Sequence, residues 1–480
     1  MSSNPETGEP MIPASSRPAL AGLLCVVLGA CTEKIVYKDL PDFVDPPAGA
    51  VGFLGYSDNA SRQTTCGNCH SGKQARWKET AHASAWSDLA ASGAQAQSCE
   101  GCHSVGHRGN TSTDQTAGYA GTQNVRYEDV QCESCHGPGL THVTNPDAPG
   151  NKPLASLAVG SDLTNGCGEC HSGTHQPFVE EWAASRHARI DDHRAENASC
   201  VACHEPRGVL AAWGVKTVFL ESEEIEPPFL GITCVVCHDP HDASNPKQLR
   251  FPIDVPELES NLCMKCHYKR AEPEVNSSRG PHSPQGPVLL GEAGWTPPGF
   301  AYPPKSLVGS HGSDRNPKLC ATCHVNSYAI GDFHATGHSF QPIPCVDAQG
   351  VPTGATTCED TERSFKACVL CHLTETAARS ARAVAKDRLT RLADEIDVIL
   401  AQVPSSEFST TDNRISTAEG SKFNALLARE RGSAIHNPFL VEALLAASID
   451  QLEADYGLSA RVGLSLKPAL TPPPSLKTVK

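Results

Sequence analysis

Nine times the chain spells Cys-x-x-Cys-His: Cys66–His70, Cys99–His103, Cys132–His136, Cys167–His171, Cys200–His204, Cys234–His238, Cys263–His267, Cys320–His324 and Cys368–His372. Two thiols three positions apart can bond both vinyl groups of one porphyrin, and the histidine that follows then meets its iron. The rival chemistry is zinc held by four sulfurs from two Cys-x-x-Cys pairs. Zinc needs no histidine directly after the second cysteine, yet all nine pairs carry one. The expected cofactors are therefore nine haem c groups. They would be bonded through Cys66, Cys69, Cys99, Cys102, Cys132, Cys135, Cys167, Cys170, Cys200, Cys203, Cys234, Cys237, Cys263, Cys266, Cys320, Cys323, Cys368 and Cys371. The proximal iron ligands would be His70, His103, His136, His171, His204, His238, His267, His324 and His372. Hereafter the motifs are sites 1 to 9 in chain order.

The sixth ligand separates a wire from a catalyst, because an iron with two protein ligands passes electrons and one with an open position can bind a substrate. Methionine is the other common sixth ligand, but the chain holds just Met1, Met11 and Met264, the last enclosed in "CMKCH". His/His ligation remains, with its lower potentials. Twelve further histidines are available for nine sixth positions. The candidates are His82, His142, His187, His241, His282, His311, His334, His338 and His436, while His107, His175 and His193 read as surface residues.

An internal repeat supports part of that choice. Sites 1 to 3 recur as sites 4 to 6 at an offset of 101 or 102 residues. "WKETAHA" matches "WAASRHA", which equates His82 with His187. "CESCHGPGLTH" matches "CVVCHDPH", which equates His142 with His241. His107, His175 and His193 have no counterpart. His334 and His338, four apart in "DFHATGHSF", would share a helix face, one for iron and one for a propionate. His436 stands at a helix start with Pro438 in the first turn.

Aromatic residues make up 5% of the chain, against 39 glycines and 37 prolines. So little apolar bulk cannot fill a large core, whereas haem planes would, with the polypeptide as a loop-rich wrapping. The 307 residues from Cys66 to His372 allow about 34 per haem, so neighbouring haems would lie close. The expected fold is mainly α with extensive coil and little β, packed around haems and closed by C-terminal helices.

The chain divides into a leader (1–31), a flexible tether (32–60), a three-haem module (61–160), its copy (161–260), a third three-haem region with loop insertions (261–375), a helical cap (376–460) and a disordered tail (461–480). The leader run "ALAGLLCVVLGA" ends at Cys31 in a lipobox-like context, so Cys31 is expected to carry lipid. Glu6 and Glu9 suit a leader poorly, and a start at Met11 would leave Arg17 as its charge. Export permits a disulfide between Cys345 and Cys358 in the loop "CVDAQGVPTGATTC"; two free thiols are the alternative. In the cap, Val384, Arg388, Leu392, Ile396, Ile399 and Val403 keep helical spacing, and a second helix is expected from about Pro438 to Tyr456. A net charge of −15, which propionates make more negative, argues against nucleic acid.

The nine motifs, the W-x-x-[ST]-x-H-A segments, "CHGPGLTH", "CHDPH" and "HNP" resemble the multihaem (nonahaem) c-type cytochromes of extracellular respiration, over about residues 60–450. That resemblance implies electron transfer along bis-His haems, in an exported protein lipid-anchored at the outer membrane. It implies other redox proteins or acceptors such as metal oxides as partners, and leaves room for a homo-oligomer or filament. The alternative is a multihaem oxidoreductase of nitrogen or sulfur oxyanions with one open iron; the Cys-x-x-Cys-Lys motif of the nitrite-reductase branch is absent from the sequence.

Overall fold

The computed structural model describes residues 52–159, 166–173, 177–215, 225 and 227–458. The leader with Cys31, the tether up to residue 51, His175 and the 461–480 tail lie outside the described residues.

Among the described residues from 52 to 372 the backbone is short helices joined by coil. Each motif folds as one tight turn, and at sites 1, 4, 5, 6 and 7 the histidine N–H bonds the first cysteine's carbonyl. The distances are 2.9 Å for His70 to Cys66, 2.9 Å for His171 to Cys167 and 3.1 Å for His267 to Cys263. One such turn sets positions i, i+3 and i+4 on a common face, so two sulfurs and an imidazole project together. Two small antiparallel sheets punctuate the coil: β1 (Tyr56–Asp58) with β2 (Gln63–Thr64), and β3 (Tyr328–Ile330) with β4 (Phe333–Ala335). Cys345 and Cys358 are joined as a disulfide.

The second sheet corrects the helix expected over His334 and His338. Gly331 and Gly337 both sit at positive φ, +54° and +86°, a conformation that an α-helix does not continue through. His334 therefore lies on β4, and His338 follows in a turn.

Repeated elements hold the two modules alike. Helix α1 (Ser71–Trp77) and helix α2 (Phe178–Ala183, followed by coil) each end at or next to a tryptophan. Trp77 donates to the Val130 carbonyl at 3.1 Å, and Trp182 to the Ile232 carbonyl at 2.7 Å. Val130 in turn donates to the His82 carbonyl at 3.1 Å, and Ile232 to the His187 carbonyl at 2.7 Å. The duplication read from the motifs thus extends to the bonds that place His82 and His187.

Beyond site 9 three long helices form the largest oily core: α3 (Glu375–Leu400), α4 (Thr417–Arg429) and α5 (Pro438–Tyr456). Thr374 caps α3, Ser416 and Glu419 form a capping box on α4, and Asn437 with Pro438 starts α5,. Leu389, Leu392, Ile396, Ile399, Leu427, Leu444, Leu445 and Leu452 fill their shared centre. Of the expected positions, Leu392, Ile396, Ile399 and Val403 are buried, and the departure lies at the helix's N-terminal half. Val384 is 56% exposed, Ala385 and Leu389 face inward, and Arg388 turns to a buried Glu442 on α5. Helix α4 is an element that sequence periodicity did not announce, because alanine, serine and glycine occupy much of its buried face.

Candidate functional site

Eight motif histidines each face a second histidine ring. His70 faces His142 with ring centres 6.4 Å apart, His136 faces His241 at 6.1 Å, and His171 faces His82 at 6.2 Å. His204 faces His282 at 6.2 Å, His238 faces His338 at 6.3 Å, and His267 faces His187 at 6.2 Å. His324 faces His436 at 6.2 Å, and His372 faces His311 at 6.1 Å.

These spacings test the haem reading. Imidazole–metal bonds of about 2.0 Å, plus roughly a further 1.1 Å from each nitrogen to its ring centre, put two axial rings about 6.2 Å apart. All eight pairs fall within a few tenths of that value, too far for a direct ring contact and right for one iron between them.

Several rings are anchored through Nδ1, which turns Nε2 toward the gap. The partners are carbonyls of Ala85 for His103 (3.1 Å), Pro153 for His136 (2.8 Å), Lys247 for His238 (2.9 Å) and Phe340 for His324 (2.9 Å). His311 uses the Ile435 carbonyl at 2.6 Å. Beside His241, Asp239 has its Oδ1 at 3.3 Å. Burial works against that carboxylate, yet hydrogen bonds from His241 and the Arg250 charge hold it well below the usual carboxylate range.

His338 is set by a longer relay. Its Nδ1 lies 3.0 Å from the Thr336 hydroxyl, which itself donates to Glu181 Oε2 at 2.8 Å. The same carboxylate accepts from the backbone N–H of Thr336 (2.6 Å) and of His338 (2.7 Å). Phe178, one turn earlier on α2, packs edge-on against the His338 ring at 4.8 Å. Sequence reasoning missed Glu181 and Thr336, since a glutamate on an amphipathic helix carries no mark of a partner 155 residues away.

Burial also sets charge. It pushes His82 and His187 down to about 4 and His436 down to about 3, with neighbouring imidazoles adding to the effect. Each therefore stays neutral at physiological pH, the form that offers a lone pair to a metal.

Motif thiols meet across sites in a repeated pattern. The first cysteines of sites 1 and 3 (Cys66, Cys132), 4 and 6 (Cys167, Cys234), and 7 and 8 (Cys263, Cys320) are hydrogen-bond neighbours. So are the second cysteines of sites 2 and 4 (Cys102, Cys170) and of sites 5 and 7 (Cys203, Cys266). Weaker neighbours link sites 3 and 4 (Cys135, Cys167), 6 and 7 (Cys237, Cys266), and 8 and 9 (Cys323, Cys371). A continuous cavity of about 2740 Å³ runs past Cys203, Cys266, His324, His372 and His436. That is several times a small-molecule pocket of about 300–1,000 Å³ and suits a row of flat macrocycles.

Two expected participants stand apart. His334 is exposed on β4, paired with Ala329 across the hairpin. His103 is anchored like the other motif histidines, yet among the described residues no second histidine ring faces it. His107 and His193, read as surface residues, likewise face no motif histidine among the described residues; His193 is exposed and His107 half-buried.

Residues 65–137 match the model of a family described as cytochrome c554 and c-prime, and residues 227–272 match one described as doubled CXXCH motif. No curated protein sequence matches the chain. The crystal structure of outer cell wall cytochrome OcwA is similar at 19% identity and a TM-score of 0.47, over 74% of this chain and 75% of that one.

Proposed function

We propose that this chain, a multihaem c-type cytochrome, binds nine haems and relays electrons along a line of seven of them, with two haems on side branches. The order is sites 1, 3, 4, 6, 7, 8 and 9, with site 2 joined at site 4 and site 5 joined at site 7. The observation that carries the reading is the succession of neighbouring motif thiols, hydrogen-bonded between sites 1 and 3, 4 and 6, and 7 and 8, and within electrostatic range between sites 3 and 4, 6 and 7, and 8 and 9, since neighbouring sulfurs would bring the edges of their macrocycles near one another.

The histidine pairs support the same role. Covalently held haem would supply the redox chemistry, and at eight sites the polypeptide offers two facing imidazoles that would hold it,. The pairs also interlock the modules. Site 4 takes His82 from the module before it, and site 7 takes His187 likewise. Sites 3 and 6 take His241 and His338 from the segment after them. Pulling one module away would strip ligands from its neighbour, so the array is held as one body.

The acceptors suggested by these features are other redox proteins or extracellular solids such as metal oxides, in anaerobic or extracellular respiration. Lipidation at Cys31 would hold the protein at the outer membrane; among the described residues no helix is long and apolar enough to cross a membrane. The test is a haem count by intact-mass spectrometry together with protein-film voltammetry. Nine haems and reversible current spread over a broad, low-potential window support electron relay. Fewer haems, or reduction that stalls after a subset, contradict it.

A further inference from the structure

We propose that the carboxylates behind His241 and His338 make sites 3 and 6 the lowest-potential steps of the electron line. They divide it into three segments that hold electrons apart: site 1, site 4 with its branch at site 2, and sites 7 to 9 with the branch at site 5. This inference rests on the haem reading and the electron order above, and it adds Asp239, Glu181 and Thr336 as positioning residues that set potential.

A histidine that meets a metal through Nε2 presents Nδ1–H to its surroundings, and the acceptor there sets how strongly the ring donates. A carboxylate draws on that proton more than a carbonyl does, makes the ring more basic and favours the ferric state, which lowers the potential. Five anchored rings use backbone carbonyls. His241, the second ring of site 3, instead has Asp239 Oδ1 3.3 Å from its Nδ1. His338, the second ring of site 6, reaches Glu181 through the Thr336 hydroxyl, at 3.0 Å from Nδ1 to the hydroxyl and 2.8 Å from the hydroxyl to Oε2. A hydroxyl that donates to a carboxylate is polarised and accepts more strongly, so the charge is felt at the ring. The opposite rings, His136 and His238, are anchored as well, at 2.8 Å and 2.9 Å. At the other extreme, the buried Nδ1 of His142 at site 1 and of His436 at site 8 has no hydrogen-bond partner among the described residues. Those two rings donate less, and their sites stand higher.

Sites 3 and 6 are equivalent in the repeat, yet their carboxylates come from unrelated positions. In the first copy Gly137 stands where Asp239 is, and Arg76 where Glu181 is. A shared ancestral residue does not account for that pairing, whereas a shared place in the electron line does. Arg250 holds the other Asp239 oxygen at 2.9 Å, which fixes the carboxylate and offsets part of its charge. Glu181 takes its hydrogen bonds from two backbone N–H groups and a hydroxyl, all uncharged, so site 6 is the lower of the two. Each transfer moves one electron from a reduced iron to the oxidised iron beside it, with no bond made or broken and no proton moved. Electrons supplied by a redox partner at either end therefore collect on the three segments and cross sites 3 and 6 as uphill steps.

The test uses the full-length, haem-loaded protein. Haem is counted first, so that a failure to load nine haems is seen as a failure of the haem reading. A reductive titration with titanium(III) citrate, followed by EPR, is expected to leave two low-spin irons oxidised after the other seven are reduced. His241→Met and His338→Met locate them. Whether or not the methionine binds, the iron loses an imidazole and its step moves up, so each variant is expected to remove one of the last two steps. A variant that removes an earlier step instead overturns the proposal. Asp239→Asn and Thr336→Val are expected to move the same two steps up, one each, with every spin state as in the parent. Asp239→Glu and Thr336→Ser, which keep the carboxylate and the hydroxyl, are expected to return them toward the parent's values. A step that shifts equally in Thr336→Val and Thr336→Ser follows packing and not the relay, which overturns the proposal. If Asp239→Asn or Thr336→Val turns its iron high-spin, the methionine variants decide. Nine haems whose last two steps belong to other sites, in a film that still carries current, leave electron relay standing and refute this inference.

Discussion

Replacing Glu181 by alanine tests whether a residue remote from any motif places an iron ligand. Its carboxylate accepts three hydrogen bonds: from the Thr336 N–H at 2.6 Å, the Thr336 hydroxyl at 2.8 Å and the His338 N–H at 2.7 Å. Hydrogen bonds to a charged group contribute about 1.5–3 kcal/mol each and are not additive, so the loss is about 3–5 kcal/mol. At 1.4 kcal/mol per factor of ten, the lower figure already loosens the His338 turn by about a hundredfold. The Thr336 hydroxyl also loses its acceptor and with it the orientation that lets it receive His338 Nδ1–H. The expected result is a new high-spin fraction of up to one iron, assigned to site 6, together with a lower urea midpoint. Glu181→Gln keeps an acceptor oxygen and is expected to fall between the parent and the alanine variant. A lower midpoint with every iron's spin state unchanged would show that Glu181 supports the fold and does not position His338.

Gly432 has φ of +88°, and a methyl group there would run into the His436 ring. Gly432→Ala is expected to displace His436 from site 8, adding one high-spin iron in EPR and costing about 1–3 kcal/mol in urea unfolding; an unchanged spin count would separate His436 from that iron. Glu133 is fully enclosed, and burial pushes it up to about 7 against the opposing N–H groups of Gly55, Gly139 and Leu54. The folded chain then holds this proton more tightly than the unfolded chain. Its contribution favours folding fully below the ordinary glutamate value of 4.5 and is lost as pH rises through about 7,. The expected effect is on the order of 3 kcal/mol across that window. Urea midpoints measured from pH 4.5 to 8 should show it in the parent and not in Glu133→Gln.

The parts of the site legible in the sequence were those encoded locally. A motif turn needs five consecutive residues, so nine sites could be counted, and the duplication could be seen by aligning them. The C-terminal helix from Pro438 to Tyr456 announced itself through its proline start and its apolar run. Partner assignment was not local. His82 meets His171 and His338 meets His238, pairings 89 and 100 residues apart that cross module boundaries, and nothing in a lone histidine's neighbours records that crossing. His334 was misread for a related reason. Its i, i+4 spacing to His338 suits a helix, but Gly331 sits in a hairpin turn before it and Gly337, at positive φ, separates it from His338. Along and just past α3 the expected Leu392, Ile396, Ile399 and Val403 are buried, whereas the pairing of Arg388 with Glu442, a residue of another helix, left no mark in the local sequence.

The order of the haems is the central claim, and locating the irons by anomalous scattering in a crystal of the haem-loaded protein tests it most directly. The expected result is nine iron positions: seven in an unbroken line running through sites 1, 3, 4, 6, 7, 8 and 9, with site 2 beside site 4 and site 5 beside site 7. An iron at site 2 lying between sites 1 and 3, or a gap in the line at any joined pair, would contradict it.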